Sequence, residues 1–276
     1  MSTSASVDLT VILPVYIGAD PAHFRQALES VYAQTYPATE IIVVEDGPLA
    51  DDHRAVLDEF ADRDPIPTRV SLPENKGVAE AVQTGLDSAR SEWIARVDAD
   101  DINEPDRFAR QVAAIIADDW DLVGSAMTEF DDRSGRVLGV RSMPTDPEAI
   151  ARIMRANNAF NHPTVVFRRE SALTVGGYRP VPYMEDYDLF ARMLAAGARA
   201  TNLVDPLVRF RGGDAMLARR RTPGIFRAEI RMQRNLRAYG LISAPRALIN
   251  LVLRTAYRLL PTPALRLANR VLFHRD

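Results

Sequence analysis

The sequence predicts an α/β fold: a mostly parallel, Rossmann-like central sheet flanked by helices, with a helical C-terminal extension. Three observations carry that expectation. Short apolar, β-branched runs alternate with helix-length amphipathic segments through the first 120 or so residues, the pattern of βαβ units. The runs are apolar on both faces, as strands covered by helices on both sides must be. Two of them end in acids, Glu45-Asp46 and Asp98.

Taken in order, "LTVILPVY" (9–16) reads as the first strand, closed by Pro14. "DPAHFRQALESVYAQ" (20–34) reads as a helix, with Asp20 as N-cap, proline in the first turn, and Phe24, Ala27, Leu28 and Val31 on one face. "EIIVVEDG" (40–47) is a second buried strand, ending in two acids and a glycine. Residues 51–61 read as helix, "TRVSLP" (68–73) as strand and "GVAEAVQTGLDSA" (77–89) as helix. "EWIARVD" (92–98) is the next strand and "PDRFARQVAAIIA" (105–117) the next helix, with Pro105 at its start. Ligands of such sheets bind beyond the carboxyl ends of the strands, so Asp46 and Asp98 are expected to share one crevice. After Val123 the pattern changes. Residues 128–141 predict a hairpin with a Ser-Gly turn, 146–157 a helix, 163–169 a strand and 199–211 an extended segment. Between the last two, 184–197 predicts a helix with Glu185, Asp186 and Asp188 in its first turn. From about 222 the chain reads as helical, with breaks near Pro245 and Pro261–Pro263.

The 276 residues suit one large or two small domains, and 47% hydrophobic with 26% charged content supports a sizeable core. The absence of cysteine excludes disulfides, zinc-thiolate sites and a cysteine nucleophile. The opening "MSTSASVDLT" lacks the basic and apolar regions of a secretory signal. No apolar stretch reaches the roughly 18 residues of a membrane span, so a cytoplasmic protein is expected. The formal charge of −3 hides an asymmetry: residues 205–276 carry 15 arginines against four acids, a net of +11, which leaves −14 on the remainder. An acidic body with a basic tail points to an anionic partner at the C-terminal end. Lys76 is the single lysine, so arginine is this chain's default cation.

"ARVDADDINEPDRF" (95–108) crowds Asp98, Asp100 and Asp101 directly after an apolar run. Like charges so close either point into water or hold a cation. An Asp-x-Asp pair suits a hard divalent ion, Mg2+ or Mn2+, that keeps positions open for phosphate oxygens and offsets charge on a departing diphosphate. By itself the pattern also fits a solvated acidic loop. A phosphatase with an aspartyl nucleophile would want Thr or Val after the second Asp, near the N-terminus. Asp46 stands where an acceptor for a nucleobase N–H would stand. Asn75-Lys76-Gly77 opens a helix beside the same crevice, either for close approach to a ribose or phosphate or simply as cap and turn. Glu185-Asp186 offers a separate carboxylate suited to a general base, or acids that favour the helix dipole. His162, in "FNHPTVVF", either touches a ligand or is a hydrogen-bonded residue before a strand. Trp93 and Trp120 read as core.

Together the segments "VILPVYIG", "ALESVYAQTYPATEIIVVEDGP", "NKGVAEAVQTGL", "WIARVDADDINEPDRFARQV", "NHPTVVFRR", "GGYR" and "EDYDLFARML", ordered and spaced from residue 9 to about 211, resemble glycosyltransferase family 2. This is the GT-A fold of inverting nucleotide-sugar transferases, here most similar to the bacterial exopolysaccharide subgroup typified by amylovoran-biosynthesis enzymes. The resemblance implies that Pro14, Val15 and Tyr16 line a base pocket, that Asp46 accepts from the nucleobase, and that Asn75 and Gly77 lie near the nucleoside. It implies Asp98 and Asp100 as the metal-binding DxD, with Asp100 the more direct ligand and Asp98 nearer the sugar or ribose. Asp186 matches the catalytic base of the "ED" motif, and Glu185 and His162 fall beside the donor. The implied organisation is a GT-A domain over 1–215, its nucleotide-sugar half about 1–125 and its acceptor half about 126–215, then a basic helical region over 216–276. The implied partners are a UDP- or GDP-sugar donor and a saccharide or lipid-linked saccharide acceptor of polysaccharide or cell-envelope assembly, with no nucleic acid.

Two features depart from the family pattern. Glu45 replaces a frequent Asp, and no QxxRW motif follows Asp186, so one sugar per encounter is expected rather than processive synthesis. A sugar nucleotidyltransferase would want a glycine-rich basic loop where "PVYIGADPAHF" stands. A non-catalytic nucleotide-sugar-binding scaffold would have lost one of the acid motifs, and both are present. In "APRALINLVLRTAYRLLPTPALRLANRVLFHR" (244–275), Arg254 with Arg258 and Arg266 with Arg270 are four apart, each pair on one helical face. This suits a peripheral helix on an anionic membrane at the inner face of the cell membrane, or helices packed on the core with solvated arginines.

Overall fold

The computed structural model describes residues 7–212, 224–259 and 274–275. Its first half runs β1 (Leu9–Val15), α1 (Pro21–Tyr32), β2 (Glu40–Glu45), α2 (Asp51–Glu59), β3 (Thr68–Ser71), α3 (Val78–Ser88) and β4 (Trp93–Arg96). β1 pairs in parallel with β2 and β4, and β2 with β3, giving the order β3-β2-β1-β4. β1 and β2 are buried almost throughout, as strands covered on both faces must be. Asp20 caps α1, its carboxylate accepting from the N–H groups of Ala22 and His23 at 2.8 and 3.3 Å. Pro21 opens the helix where no backbone N–H is needed.

The second half begins with β5 (Ile102–Asn103), α4 (Arg107–Asp118), the long strand β6 (Leu122–Asp131) and β7 (Val137–Arg141). Then come α5 (Pro147–Met154), β8 (Val166–Arg168), α6 (Arg169–Thr174), α7 (Glu185–Ala195) and β9 (Ala200–Gly212). β8 lies antiparallel between β4 and β6, and so joins the parallel half to a mixed one. β6 pairs antiparallel with β7 and in parallel with β9, while β5 pairs antiparallel with β9. Two apolar layers cover the sheet: Phe24, Leu28, Val56 and Phe108 belong to one, Leu86, Phe160, Phe190 and Met232 to the other. The chain closes with α8 (Ile225–Ala238), α9 (Ala244–Leu259) and β10 (His274–Arg275), which pairs with β7.

Several expectations are revised. The strand expected over 163–169 is a 3-10 turn at His162–Thr164 followed by β8. Pro163 cannot donate to a ladder, and the Thr164 hydroxyl sits by the carbonyls of Asn161 and Ser125 at 2.9 and 3.2 Å, holding the turn. β4 ends at Arg96, two residues early, because the chain turns away into the acidic segment. α6 and β5 are too short for periodicity to reveal. The break expected near Pro245 is present: α8 ends at Ala238 and α9 starts at Ala244, with Pro245 in its first turn, where no backbone N–H is needed. The break at Pro261–Pro263 and the pair Arg266 and Arg270 lie outside the described residues. Arg254 is not on an outer basic face. It turns inward, its Nε donating to Glu229 at 2.7 Å and its Nη1 to the Ala156 carbonyl at 2.8 Å. Among the described residues no helix is long and apolar enough to cross a membrane.

Candidate active site

The parallel strands β1, β2 and β4 end side by side, and the loops beyond them carry most of the residues singled out in the sequence. Val15 turns its side chain into the core, and its carbonyl accepts from the Asp46 N–H at 2.8 Å. Pro14 is half-buried, while Tyr16 and Ile17 are exposed at the lip. Asp46 is buried just past β2, and its two carboxylate oxygens accept the N–H groups of Lys76 and Gly77 at 2.7 and 3.0 Å. Asn75 returns a bond from Nδ2 to the Asp46 carbonyl at 3.3 Å. Asp46 therefore fastens the start of α3 to the end of β2, and each oxygen keeps a lone pair for a further donor. Gly47 makes this approach feasible: its φ is +86°, and a Cβ there would stand 2.7 Å from the Asn75 nitrogen. Glu45, the departure from the family pattern, points elsewhere; it accepts from Arg69 Nε and Ser71 Oγ at 2.8 and 3.0 Å and ties β2 to β3.

Asp98, Asp100 and Asp101 follow β4, each offering a carboxylate oxygen within 4.8 Å of the others. No other group of three acidic or histidine side chains this compact occurs among the described residues. Two buried cations lie behind them. Arg96 pairs with Asp98. Arg107, fully buried, meets neutral partners alone: Asn103, Gln111 and the carbonyls of Arg96 and Val165. Burial, then the charge of Arg96, pushes the Arg107 guanidinium down to about 9. Arg211, at the end of β9, fastens the loop from its other side. Its N–H donates to Asp101 Oδ1 at 3.1 Å and its Nε to the Asp100 carbonyl at 2.6 Å.

Asp101 is almost wholly buried, and its Oδ2 has no hydrogen-bond partner. Burial, followed by the charges of Asp98 and Asp100, raises its carboxyl well above the ordinary range. An orphaned carboxylate oxygen inside a cluster of hard oxygen donors fits a divalent cation such as Mg2+ or Mn2+.

The second acidic group opens α7. Asp186 Oδ2 accepts from Asn158 Nδ2 at 2.8 Å, and Oδ1 from the Tyr187 N–H at 2.7 Å. Desolvation raises Asp186 to about 6, against the lowering effect of the Tyr187 N–H, Arg96 and Asn158. Desolvation and then Asp186 raise its neighbour Glu185 to about 7, and Arg96 and Asp98 also act on it. Arg96 is thus the buried charge shared by both acidic groups. His162, held neutral by burial and by Arg96, meets the Tyr178 hydroxyl at 2.9 Å and packs edge-on against Phe190. Asp188, one turn into α7, belongs to the frame: fully buried, it binds Arg192, Asn235 and the Tyr239 hydroxyl at 2.9, 2.7 and 2.7 Å, locking α7 to α8.

Four residues of this site were given no individual role from the sequence. Arg96 had a signal, a charge at a buried position of an apolar strand. Asp101 had the crowding but nothing to say that it alone faces inward. Asn158 and Tyr178 lie in irregular segments without periodicity; Tyr178 falls in the segment "GGYR" that carries the resemblance, but nothing there tied it to His162.

The chain matches the family model described as Glycosyl transferase family 2 over residues 10–176. It is 33% identical over 253 residues to the amylovoran biosynthesis glycosyltransferase AmsE of Erwinia amylovora, covering 91% of this chain and 94% of that one. It is 29% identical over 254 residues to the Escherichia coli UDP-Gal:alpha-D-GlcNAc-diphosphoundecaprenol beta-1,3-galactosyltransferase, 92% of each chain. The fold is that of the mannosyltransferase PcManGT from Pyrobaculum calidifontis, solved with GDP-Man and Mn2+. The TM-score is 0.64 at 20% identity, over 99% of this chain and 77% of that one. This is the GT-A fold.

Proposed function

The chain belongs to glycosyl transferase family 2, and from that premise we propose that it is an inverting, metal-dependent enzyme that moves one sugar at a time from a nucleotide-diphosphate sugar to a hydroxyl group. The observation that carries the reading is the pairing of two acidic groups about one buried arginine. Asp98, Asp100 and Asp101 crowd the end of β4, and Asp186 stands at the head of α7 with its carboxyl raised to about 6. A carboxylate poised near neutrality suits a general base. An acidic cluster with an orphaned oxygen suits a cation-bound diphosphate.

In this proposal Tyr16, the Asp46 carboxylate and the Asn75–Gly77 turn hold the nucleoside, with Pro14 and the Val15 backbone beneath it. Asp98 and Asp100 hold the divalent cation, with Asp101 as a third carboxylate behind them. Bound there, the cation supplies the positive charge that a departing nucleoside diphosphate requires. Asp186 takes the proton from the acceptor hydroxyl, whose oxygen forms the new bond to the anomeric carbon on the face opposite the diphosphate. The bond to the diphosphate oxygen breaks with its electron pair, so the anomeric configuration inverts. Asn158 and the Tyr187 N–H orient the Asp186 carboxylate. Glu185 and His162 border the space between the two acidic groups.

The relatives are named for exopolysaccharide synthesis and for transfer to a diphosphoundecaprenol-linked sugar. Those names support a saccharide or lipid-linked saccharide acceptor in polysaccharide or envelope assembly. The test is release of nucleoside diphosphate from a panel of UDP- and GDP-sugars, with Mn2+, with Mg2+ and with chelator. A cation-dependent signal with one donor class supports the reading. Equal signal in chelator contradicts the metal assignment, and none with any donor contradicts the reading as a whole.

A further inference from the structure

Helix α9 is amphipathic in the unusual sense: its polar side faces the protein and its apolar side faces out. Asn250, 1% exposed, donates from Nδ2 to the Arg155 carbonyl and to Gln233 Oε1 at 2.7 and 2.9 Å. Arg254, one turn on, donates to Glu229, the Ala156 carbonyl and Asn157 Oδ1. The opposite side presents Leu248, Ile249, Val252 and Leu253, which are 63, 51, 59 and 62% exposed. The spacing 248, 249, 252, 253 makes one continuous stripe along a helix. A helix that commits Asn250 and Arg254 to internal bonds and shows its aliphatic residues to solvent is not made for water.

We propose that this outer face of α9 is a docking surface for an anionic lipid bilayer, on which the helix lies in the plane of the headgroups. Charge selects this occupant. Arg246 stands exposed at the rim of the stripe, and the adjoining α8 exposes Arg227, Arg231, Arg234 and Arg237 together with Phe226 and Ile230. A two-fold contact between copies would bring two such arginine-rich surfaces into one interface, whereas anionic headgroups complement them. At 16 residues the helix is about 24 Å long, suited to lying in the interface.

The placement also bears on the acceptor. Arg254 holds the carbonyl of Ala156 and the side chain of Asn157, and the next residue, Asn158, donates to Asp186. The lipid-facing helix is therefore bonded to the loop that orients the proposed base. The consequence for catalysis rests on the lipid-linked acceptor proposed above; the docking surface itself does not.

The experiment is co-sedimentation of the full-length protein with phosphatidylglycerol-containing vesicles and with pure phosphatidylcholine vesicles. Wild type is compared with the double variant Leu248→Gln, Leu253→Gln, its fold checked by circular dichroism. Wild type should sediment with the anionic vesicles, and the variant's partitioning should fall at least tenfold, about 1.4 kcal/mol, the value of roughly two buried methylenes. Nucleoside diphosphate release in lipid-free buffer should be the same for both proteins; absence of that signal from both would count against the catalytic reading and not against this one. No binding of wild type, or equal binding of the variant, overturns the proposal. So does a wild-type dimer in light scattering that the variant converts to monomer without any vesicle binding, which would assign the face to a second copy.

Discussion

Replacing Asn158 by alanine isolates the tuning of the proposed base from the rest of the site. The Asn158 amide donates to Asp186 Oδ2 at 2.8 Å and is one of the groups that lower its pKa from the value burial alone would set. A hydrogen bond to a charged group contributes about 1.5–3 kcal/mol. The carboxylate keeps the Tyr187 N–H and, being half-buried, recruits water, so a fraction of that is lost: about 0.7–1.4 kcal/mol, or roughly half to one pKa unit. If Asp186 is the base, the acid limb of kcat/KM is expected near its raised value of about 6 and should move up by that amount in the variant. At pH 6 the deprotonated fraction then falls roughly two- to fivefold, while at pH 8 the rates should coincide. Asn158 Oδ1 also accepts the Phe160 N–H at 3.1 Å, so the variant loses some stability, which a melting curve reads separately. The assay is the pH profile of nucleoside diphosphate release from 5 to 9. An acid limb that stays in place, or a loss equal at pH 6 and pH 8, would refute the assigned role of Asn158.

Asp100→Ala should abolish the stimulation by Mn2+ and weaken nucleoside diphosphate binding in calorimetry, and normal transfer by this variant would remove the acidic cluster from the mechanism. Asp188→Ala leaves the buried Arg192 guanidinium without its carboxylate; removal of one member of such a pair costs about 3–5 kcal/mol, read as a lower denaturation midpoint. The native state holds protons on Glu185 and Asp186 up to about 7 and about 6, above their unfolded values of about 4. Between those limits it binds more protons than the unfolded chain, so stability in chelator should fall as pH rises from 5 to 7.5. Glu185→Gln should flatten that slope, and an unchanged slope would show that the protons sit elsewhere.

The alternation of buried strands and helices was legible because each strand of the parallel half must be apolar on both sides, and Asp20-Pro21 announces its helix outright. The acid motifs were legible as residue types at strand and helix ends. Orientation was not. Nothing in "ADD" says that Asp101 turns inward while its neighbours stay within reach of solvent, since that depends on Arg211, 110 residues away in sequence. Arg254 misled for the same reason: helical spacing gives a face but not what the face meets, and Glu229 with the 156–157 loop draws it inward. Val15, expected to line the pocket, sits at the inward phase of β1, so its side chain joins the core while its backbone stays at the site.

The central claim is that Asp186 acts as a base and not as part of the donor site. Asp186→Asn keeps the shape of the side chain but cannot take a proton. Turnover with the preferred donor and acceptor should fall by roughly 10²-fold or more, while the affinity for the nucleotide sugar, measured by calorimetry in Mn2+, stays within about twofold of the native value. Turnover retained alongside a large loss of donor affinity would contradict the account and make Asp186 a binding residue.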